Sequence, residues 1–164
     1  MTDHRQPFSS FSKLALAAWL GAGGVLAASN SRPVDIPERI RGAGKIVVAT
    51  ALAVVPEWRR TAHGDQVIVS RVRLKVEETL KGDADSDVWM EIEGGTLGGF
   101  TLRVSSQTPL RAGDRAVFLL DLTESATYVP HLKGQGVLEL DDQNLVKNSS
   151  LHLDDIRRAA RAGR

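Results

Sequence analysis

Residues 66–80, QVIVSRVRLKVEETL, decide the fold class because apolar and charged side chains alternate along them. One parity holds Ile68, Ser70, Val72, Leu74 and Val76, and the other holds Arg71, Arg73 and Lys75. A strand places successive side chains on opposite faces, whereas a helix would mix the two sets around its circumference. The stretch therefore predicts a strand with one core face and one solvent face.

Further strands are predicted on both sides of this stretch. KIVVATALAVV (residues 45–55) and RAVFLLDL (115–122) are apolar on both parities, which is typical of central strands, and residues 57–65 form a polar connector after Pro56. Residues 88–92 alternate, residues 100–104 resume the alternation, and residues 137–140 and 145–146 flank a hairpin turn. We expect one core from Val72, Leu74, Val76, Val88, Met90, Ile92, Phe100, Leu102 and Phe118.

The C-terminal segment has helical spacing instead, with Leu151, Leu153, Ile156 and Ala160 on one side. Aspartates come first and arginines last, which suits the helix dipole, and Ser150 or a neighbour is the expected cap. Glycine pairs at 94–95 and 98–99 would let a sheet bend and close. The predicted fold is mainly β, a small closed or partly open OB-like barrel of five or six strands with a short C-terminal helix.

The N-terminal segment has the pattern of a secretory signal peptide. Arg5 and Lys13 precede fifteen uncharged residues, LALAAWLGAGGVLAA, which end in small residues suited to cleavage between Ala27 and Ser29. A buried amphipathic helix and an uncleaved anchor are the alternatives. We expect a signal peptide at 1–28, a leader or linker at 29–44, a β-barrel domain at 45–148, and a C-terminal helix and tail at 149–164. The product would be periplasmic or secreted, without a stable membrane anchor.

Charge and cysteine content exclude some classes of partner. Loss of residues 1–28 would leave equal numbers of basic and acidic residues, which does not favour nucleic acid. Cysteine is absent, so no disulfide supports the fold and stability must come from core burial.

Several stretches together resemble a known group of proteins, namely IVVAT (46–50), VRLKVEETLKG (72–82), VWMEIEGG (88–95), PLRAGDRAVFLL (109–120) and GQGVLEL (134–140). The chain is similar to exported bacterial proteins of unassigned activity and, more distantly, to netrin-like and tissue-inhibitor-of-metalloproteinase domains. This resemblance implies an OB-like barrel. Those inhibitors chelate zinc through an N-terminal cysteine, and a chain without cysteine does not carry that mechanism.

The sequence offers no catalytic constellation. His63, His131 and His152 lack metal-ligand spacing, and no Gly-x-Ser-x-Gly elbow is present. The acidic turn at residues 83–87 lacks the glycine and the final glutamate of a calcium loop, and Gly94–Gly99 opens no helix that could bind phosphate. We therefore expect no catalytic residue, no cofactor and no metal. An unrecognised hydrolase is the third hypothesis, after a binding module and a ligand carrier.

Surface features predict a binding module instead. Arg71, Arg73 and Lys75 form a basic row, for which the alternative is a solvated face balanced by Glu77, Glu91 or Glu93. Exposed tryptophans are plausible contact anchors. The predicted partner-binding residues are Trp58, Trp89, Gly94, Gly95, Gly98, Gly99, Arg71, Arg73 and Lys75. The expected partner is another exported protein, for instance an exported enzyme that this chain assists or inhibits. The alternative is that the chain carries a small apolar or sugar ligand.

Overall fold

The computed structural model describes residues 35–163. The predicted signal peptide, its cleavage site and the first part of the leader lie outside the described residues. The helices are α1 (Ile36–Gly42) and α2 (Leu153–Ala162), and a 3-10 turn spans Lys133–Gly136. The strands are β1 (Lys45–Arg60), β2 (Gln66–Lys81), β3 (Asp87–Glu93), β4 (Gly95–Leu97), β5 (Phe100–Leu102), β6 (Arg115–Leu122), β7 (Tyr128–Pro130) and β8 (Val137–Glu139).

Six strands form one sheet in the order β1-β2-β3-β7-β6-β8, and an additional pairing of β1 with β6 closes five of them into a ring. The β3–β7 pairing is parallel, and the other pairings of the ring are antiparallel. Strands β4 and β5 form a separate two-stranded hairpin. The predicted mainly β class, with five or six strands in the principal sheet and a short C-terminal helix, is confirmed.

Residues 45–49 of β1 and 116–120 of β6 are buried on both faces, as their sequences predict, but the prediction is wrong for Leu52 and Val55 of β1, which are 44% and 51% exposed. Val47, Ala49 and Ala51 of β1 pack with Ala116, Phe118 and Leu120 of β6 in the ring interior. Their neighbours of the other parity, including Ile46, Val48, Val117 and Leu119, pack in a second cluster with residues of α1 and α2. Helices on the outside of the ring therefore explain why these two strands have no polar parity.

The predicted core is confirmed for most of its members. Six of the nine expected residues are buried in the interior cluster, namely Val72, Leu74, Val88, Met90, Ile92 and Phe118, and Val76 packs against them while partly buried. The prediction is wrong for Phe100, which is 66% exposed, and Leu102 is only partly buried outside this cluster. Both lie on β5, whose strand partner is β4 rather than a strand of the ring.

Two segment boundaries also differ from the sequence prediction. Strand β1 continues through Pro56 to Arg60, so part of the expected connector is strand. Proline is tolerated there because β6 pairs with β1 only as far as Thr50, which leaves β2 as the single strand neighbour beyond it. In the expected linker, α1 places Ile40 in the same buried cluster as α2, so the folded part extends to Ile36.

Helix α2 is confirmed, and its cap is the neighbour His152 rather than Ser150. The His152 ring accepts a hydrogen bond from the Asp154 backbone N–H, and the Asp155 carboxylate accepts one from the His152 backbone N–H. This reciprocal arrangement satisfies backbone donors at the helix start. Leu153, Ile156 and Ala160 face the buried cluster, in agreement with the helical spacing of the sequence.

Candidate functional site

The predicted site residues do not form one surface, because Trp58 and Trp89 lie on opposite faces of the sheet. Trp58 is paired with Ile68, which shares the inward parity of β2, whereas Trp89 is paired with Arg73 of the outward parity. Paired residues of neighbouring strands project to the same side. The two tryptophans are 45% and 46% exposed, so each is available to a different contact.

The outer face carries the predicted basic row, in which only Arg73 forms an ion pair among the described residues. The Arg71 guanidinium lies 5.1 Å from the centroid of the Trp89 ring, and Arg73 donates to Asp87 at 3.1 Å. Glu91, one of the carboxylates expected to balance the row, instead accepts two hydrogen bonds from Arg59. The hydrogen bonds that Arg59 donates to Glu91, together with one that it donates to Glu57, raise the pKa of Arg59 above its ordinary value. None of the three carboxylates expected to balance the row forms an ion pair with it in the described structure, since Glu77 is paired with Arg115 and Glu91 with Arg59.

The four predicted glycines have local backbone roles in the β4–β5 hairpin. Gly98 and Gly99 are its two turn residues, with φ angles of 58° and 81°, as in the tight turns that favour glycine. A β-carbon on Gly95 would lie 2.5 Å from Ser70 Oγ, and that hydroxyl donates to the Gly94 carbonyl at 2.7 Å. The glycines thus allow the hairpin to turn and to lie closely against β2.

An exposed aromatic pair, Trp58 and Phe100, lies where the hairpin meets the end of β1. Their ring centroids are 5.9 Å apart at an interplanar angle of 67°, an edge-to-face arrangement. The sequence indicated Trp58 as a contact residue but assigned Phe100 to the core. Trp58 is 45% exposed and Phe100 66% exposed, so the hairpin side carries an apolar surface.

A cleft of about 760 Å³ lies between the hairpin and residues 103–112 and is here called the hairpin cleft. Val54, Ile92 and Leu110 line it and also pack with the interior cluster, so the cleft lies against one end of the ring core. Its polar lining includes Glu93, Arg103, Ser105, Thr108 and Arg111. An apolar base with a few polar groups is the usual composition of a ligand site.

Residues 103–112 form one wall of this cleft and are held by an unusually close backbone contact. A β-carbon on Gly134 would overlap the carbonyl group of Ser106. Next to that contact, the side-chain oxygen of Gln107 is buried and has no hydrogen-bond partner among the described residues. A buried acceptor without a donor is costly and uncommon in folded proteins.

Sequence reasoning missed this cleft. Residues 105–112 do not continue the apolar alternation and contain Pro109 shortly before Gly113, so the pattern predicted only a turn between strands. A polar connector of this length that contains Arg103, Gln107 and Arg111 was the available signal. Its meaning depends on the contact with Gly134, which is distant in sequence.

The acidic turn expected to be solvated holds a lysine. Lys45 is 3% exposed, and its Nζ donates to the Asp83 carbonyl at 2.5 Å and to the Asp85 carboxylate at 2.7 Å. Asp87 points to Arg73 instead. Across residues 35–163, no group of three or more histidine, aspartate or glutamate side chains is placed to hold a metal ion.

The contacts of the three histidines do not form an open catalytic site in the described structure. His131 Nδ1 lies 2.7 Å from Asp121 Oδ2, which is the geometry of a histidine–carboxylate dyad. Its other ring nitrogen faces Gly42 at the end of α1, where even a β-carbon would come within 2.8 Å. This leaves little room for a nucleophile and a substrate beside that nitrogen. His152 caps α2, and His63 is exposed in the loop between β1 and β2.

No protein-family model matches the chain, and no curated protein matches it in a sequence comparison. The resemblance drawn from short stretches therefore stays a prediction. Neither described helix, with seven residues in α1 and ten in α2, is long and apolar enough to cross a membrane.

Proposed function

We propose that this protein is an exported, non-catalytic binding module that holds another exported protein at the hairpin cleft and the adjoining aromatic pair. The observation that supports this most strongly is the exposed Trp58–Phe100 pair next to a cleft with an apolar base. Aromatic anchors beside pockets carry much of the binding free energy in protein interfaces. The proposed functional class is an accessory or inhibitory partner of an exported enzyme.

We favour the hairpin side over the outer face because the arginines of the outer face already have partners within the domain. Arg59 and Arg73 are engaged by carboxylates, and Arg71 is stacked on Trp89. A partner would have to compete with these contacts for little gain, since exposed ion pairs contribute about 1 kcal/mol or less. The aromatic pair and the cleft base offer apolar area without such competition.

A carrier of a small ligand is the second candidate. The hairpin cleft favours it, because about 760 Å³ lies within the range of about 300 to 1,000 Å³ that small-molecule sites occupy. A carrier would use the cleft alone and would not need the aromatic pair. The dependence of binding on Trp58 therefore separates the two candidates.

Replacing Trp58 with alanine is expected to weaken binding to the captured partner about thirtyfold, because loss of an aromatic anchor typically costs at least about 2 kcal/mol. Trp89→Ala is the matched control, since Trp89 is equally exposed but lies on the opposite face. The domain would serve as bait in an envelope extract, and the affinity of each variant for the purified partner would then be measured.

Equal weakening by both tryptophan variants would contradict the hairpin-side assignment. Capture of no protein, with a small molecule that copurifies and survives dialysis, would replace the proposal with the carrier. Turnover of a substrate by the purified domain would overturn the non-catalytic assignment.

Export is the part of the proposal that rests on the sequence alone. We expect the mature protein to begin between Ala28 and Asn30, because the short uncharged run ends in small residues there. Intact-mass analysis of the exported protein measures this directly. A chain that keeps residues 1–28 and stays in membranes after an alkaline wash would instead be anchored.

A further inference from the structure

We propose that the hairpin cleft binds an extended acidic peptide segment, with an apolar side chain on the cleft base and carboxylates at the arginine-bearing rim. This proposal rests on the proposed function, because it specifies which part of a protein partner occupies the cleft. The charge of the rim and an available strand position each support it.

The rim of the cleft has an excess of positive charge. Arg103 and Arg111 are both exposed, and neither forms an ion pair with any residue from 35 to 163. Glu93 is the one carboxylate among the lining residues. Complementary charge at a rim raises the association rate and selects against the wrong partner. An acidic occupant satisfies both arginines, whereas a basic occupant would meet two like charges.

The hairpin presents a strand position for such a segment. Strand β5 has a strand neighbour on one side only, which is β4. Residues 101–105 line the cleft consecutively, so backbone groups of both parities are near its space. Extended peptides commonly bind by adding a strand to an available edge, with alternate side chains placed in a pocket. The base formed by Val54, Ile92 and Leu110 suits one apolar side chain.

The test uses two short blocked peptides, Glu-Val-Leu-Val-Glu and Lys-Val-Leu-Val-Lys, with fluorescence anisotropy as the measurement. We expect the acidic peptide to bind at least about tenfold more tightly at low salt, with the difference reduced at high salt. The double variant Arg103→Glu/Arg111→Glu should weaken the acidic peptide at least about tenfold and favour the basic one. Both positions are exposed, so an unchanged thermal midpoint would verify that the variant folds.

Lys75→Glu is the matched control, because it reverses an exposed positive charge on the outer face and should leave peptide affinity unchanged. Equal affinity for the two peptides, or equal effects of charge reversal at the rim and at Lys75, would overturn the acidic-segment proposal. Dodecanoate that binds the cleft while neither peptide does would overturn it in favour of a small amphiphile.

The two proposals can fail separately. Capture of a protein partner that depends on Trp58 but not on Arg103 and Arg111 would leave the binding module standing and overturn the acidic segment. Absence of any partner together with absence of peptide binding would overturn both.

Discussion

Gly134→Ala is expected to destabilise the folded protein by about 3 kcal/mol or more, because the added methyl group would overlap a backbone carbonyl. The obstacle is the Ser106 main chain rather than the end of a flexible side chain, so a rotamer change cannot relieve it. Residues 103–112 would have to move away from the 3-10 turn. The variant should therefore lose stability and also lose ligand binding at the hairpin cleft.

Gly44→Ala is the control for this substitution. Neither glycine has a positive φ angle, and a β-carbon on Gly44 would lie 3.5 Å from the Leu120 carbonyl oxygen, an ordinary contact. Chemical denaturation of both variants gives the free energies of unfolding. Losses of similar size at Gly44 and Gly134 would show that the close approach of residues 103–112 does not constrain the fold.

The alternation of residues 66–76 was enough to predict the face that each β2 side chain occupies. Val72 and Leu74 are fully buried, and Arg73 between them is exposed, as period two requires. The absence of a polar parity in β1 and β6 was equally informative. It predicted cover on both faces, which the ring interior and the two helices provide for residues 45–49 and 116–120 but not for Leu52 and Val55.

Parity predicts a face but not the sheet to which a strand belongs. Phe100 and Leu102 alternate as the ring strands do, yet they pair with β4 in the separate hairpin. The arrangement depends on Gly95 lying against Ser70 and Pro56, a long-range contact with no local pattern. The assignment of Phe100 to the core was wrong for this reason.

The position of Trp58 was within reach of the sequence. Strand β2 has sixteen residues, and a hairpin partner of similar length is needed to pair with all of it. That requirement would have extended β1 past Pro56 and placed Trp58 opposite Ile68, on the inward parity. The predicted strand ended before Pro56 because proline often ends a strand, although edge positions tolerate it.

The second prediction with a large expected effect concerns the two faces of β2 and follows from its strand register. Leu74→Ala is expected to lower the free energy of unfolding by about 2 to 5 kcal/mol, because Leu74 is fully buried in the ring interior and its truncation leaves a cavity. Arg73→Ala, one residue away on the outward face, should cost about 1 kcal/mol or less, since it loses a half-exposed ion pair with Asp87.

Urea denaturation of the two variants compares the two faces of β2 at adjacent residues. A slip of β2 by one residue would exchange the environments of Leu74 and Arg73, and the larger loss would then follow Arg73→Ala. Comparable losses at both positions would contradict a strand with one buried and one solvated face. A large loss confined to Leu74 would place the ring interior, and with it the base of the hairpin cleft, on the parity that the register assigns.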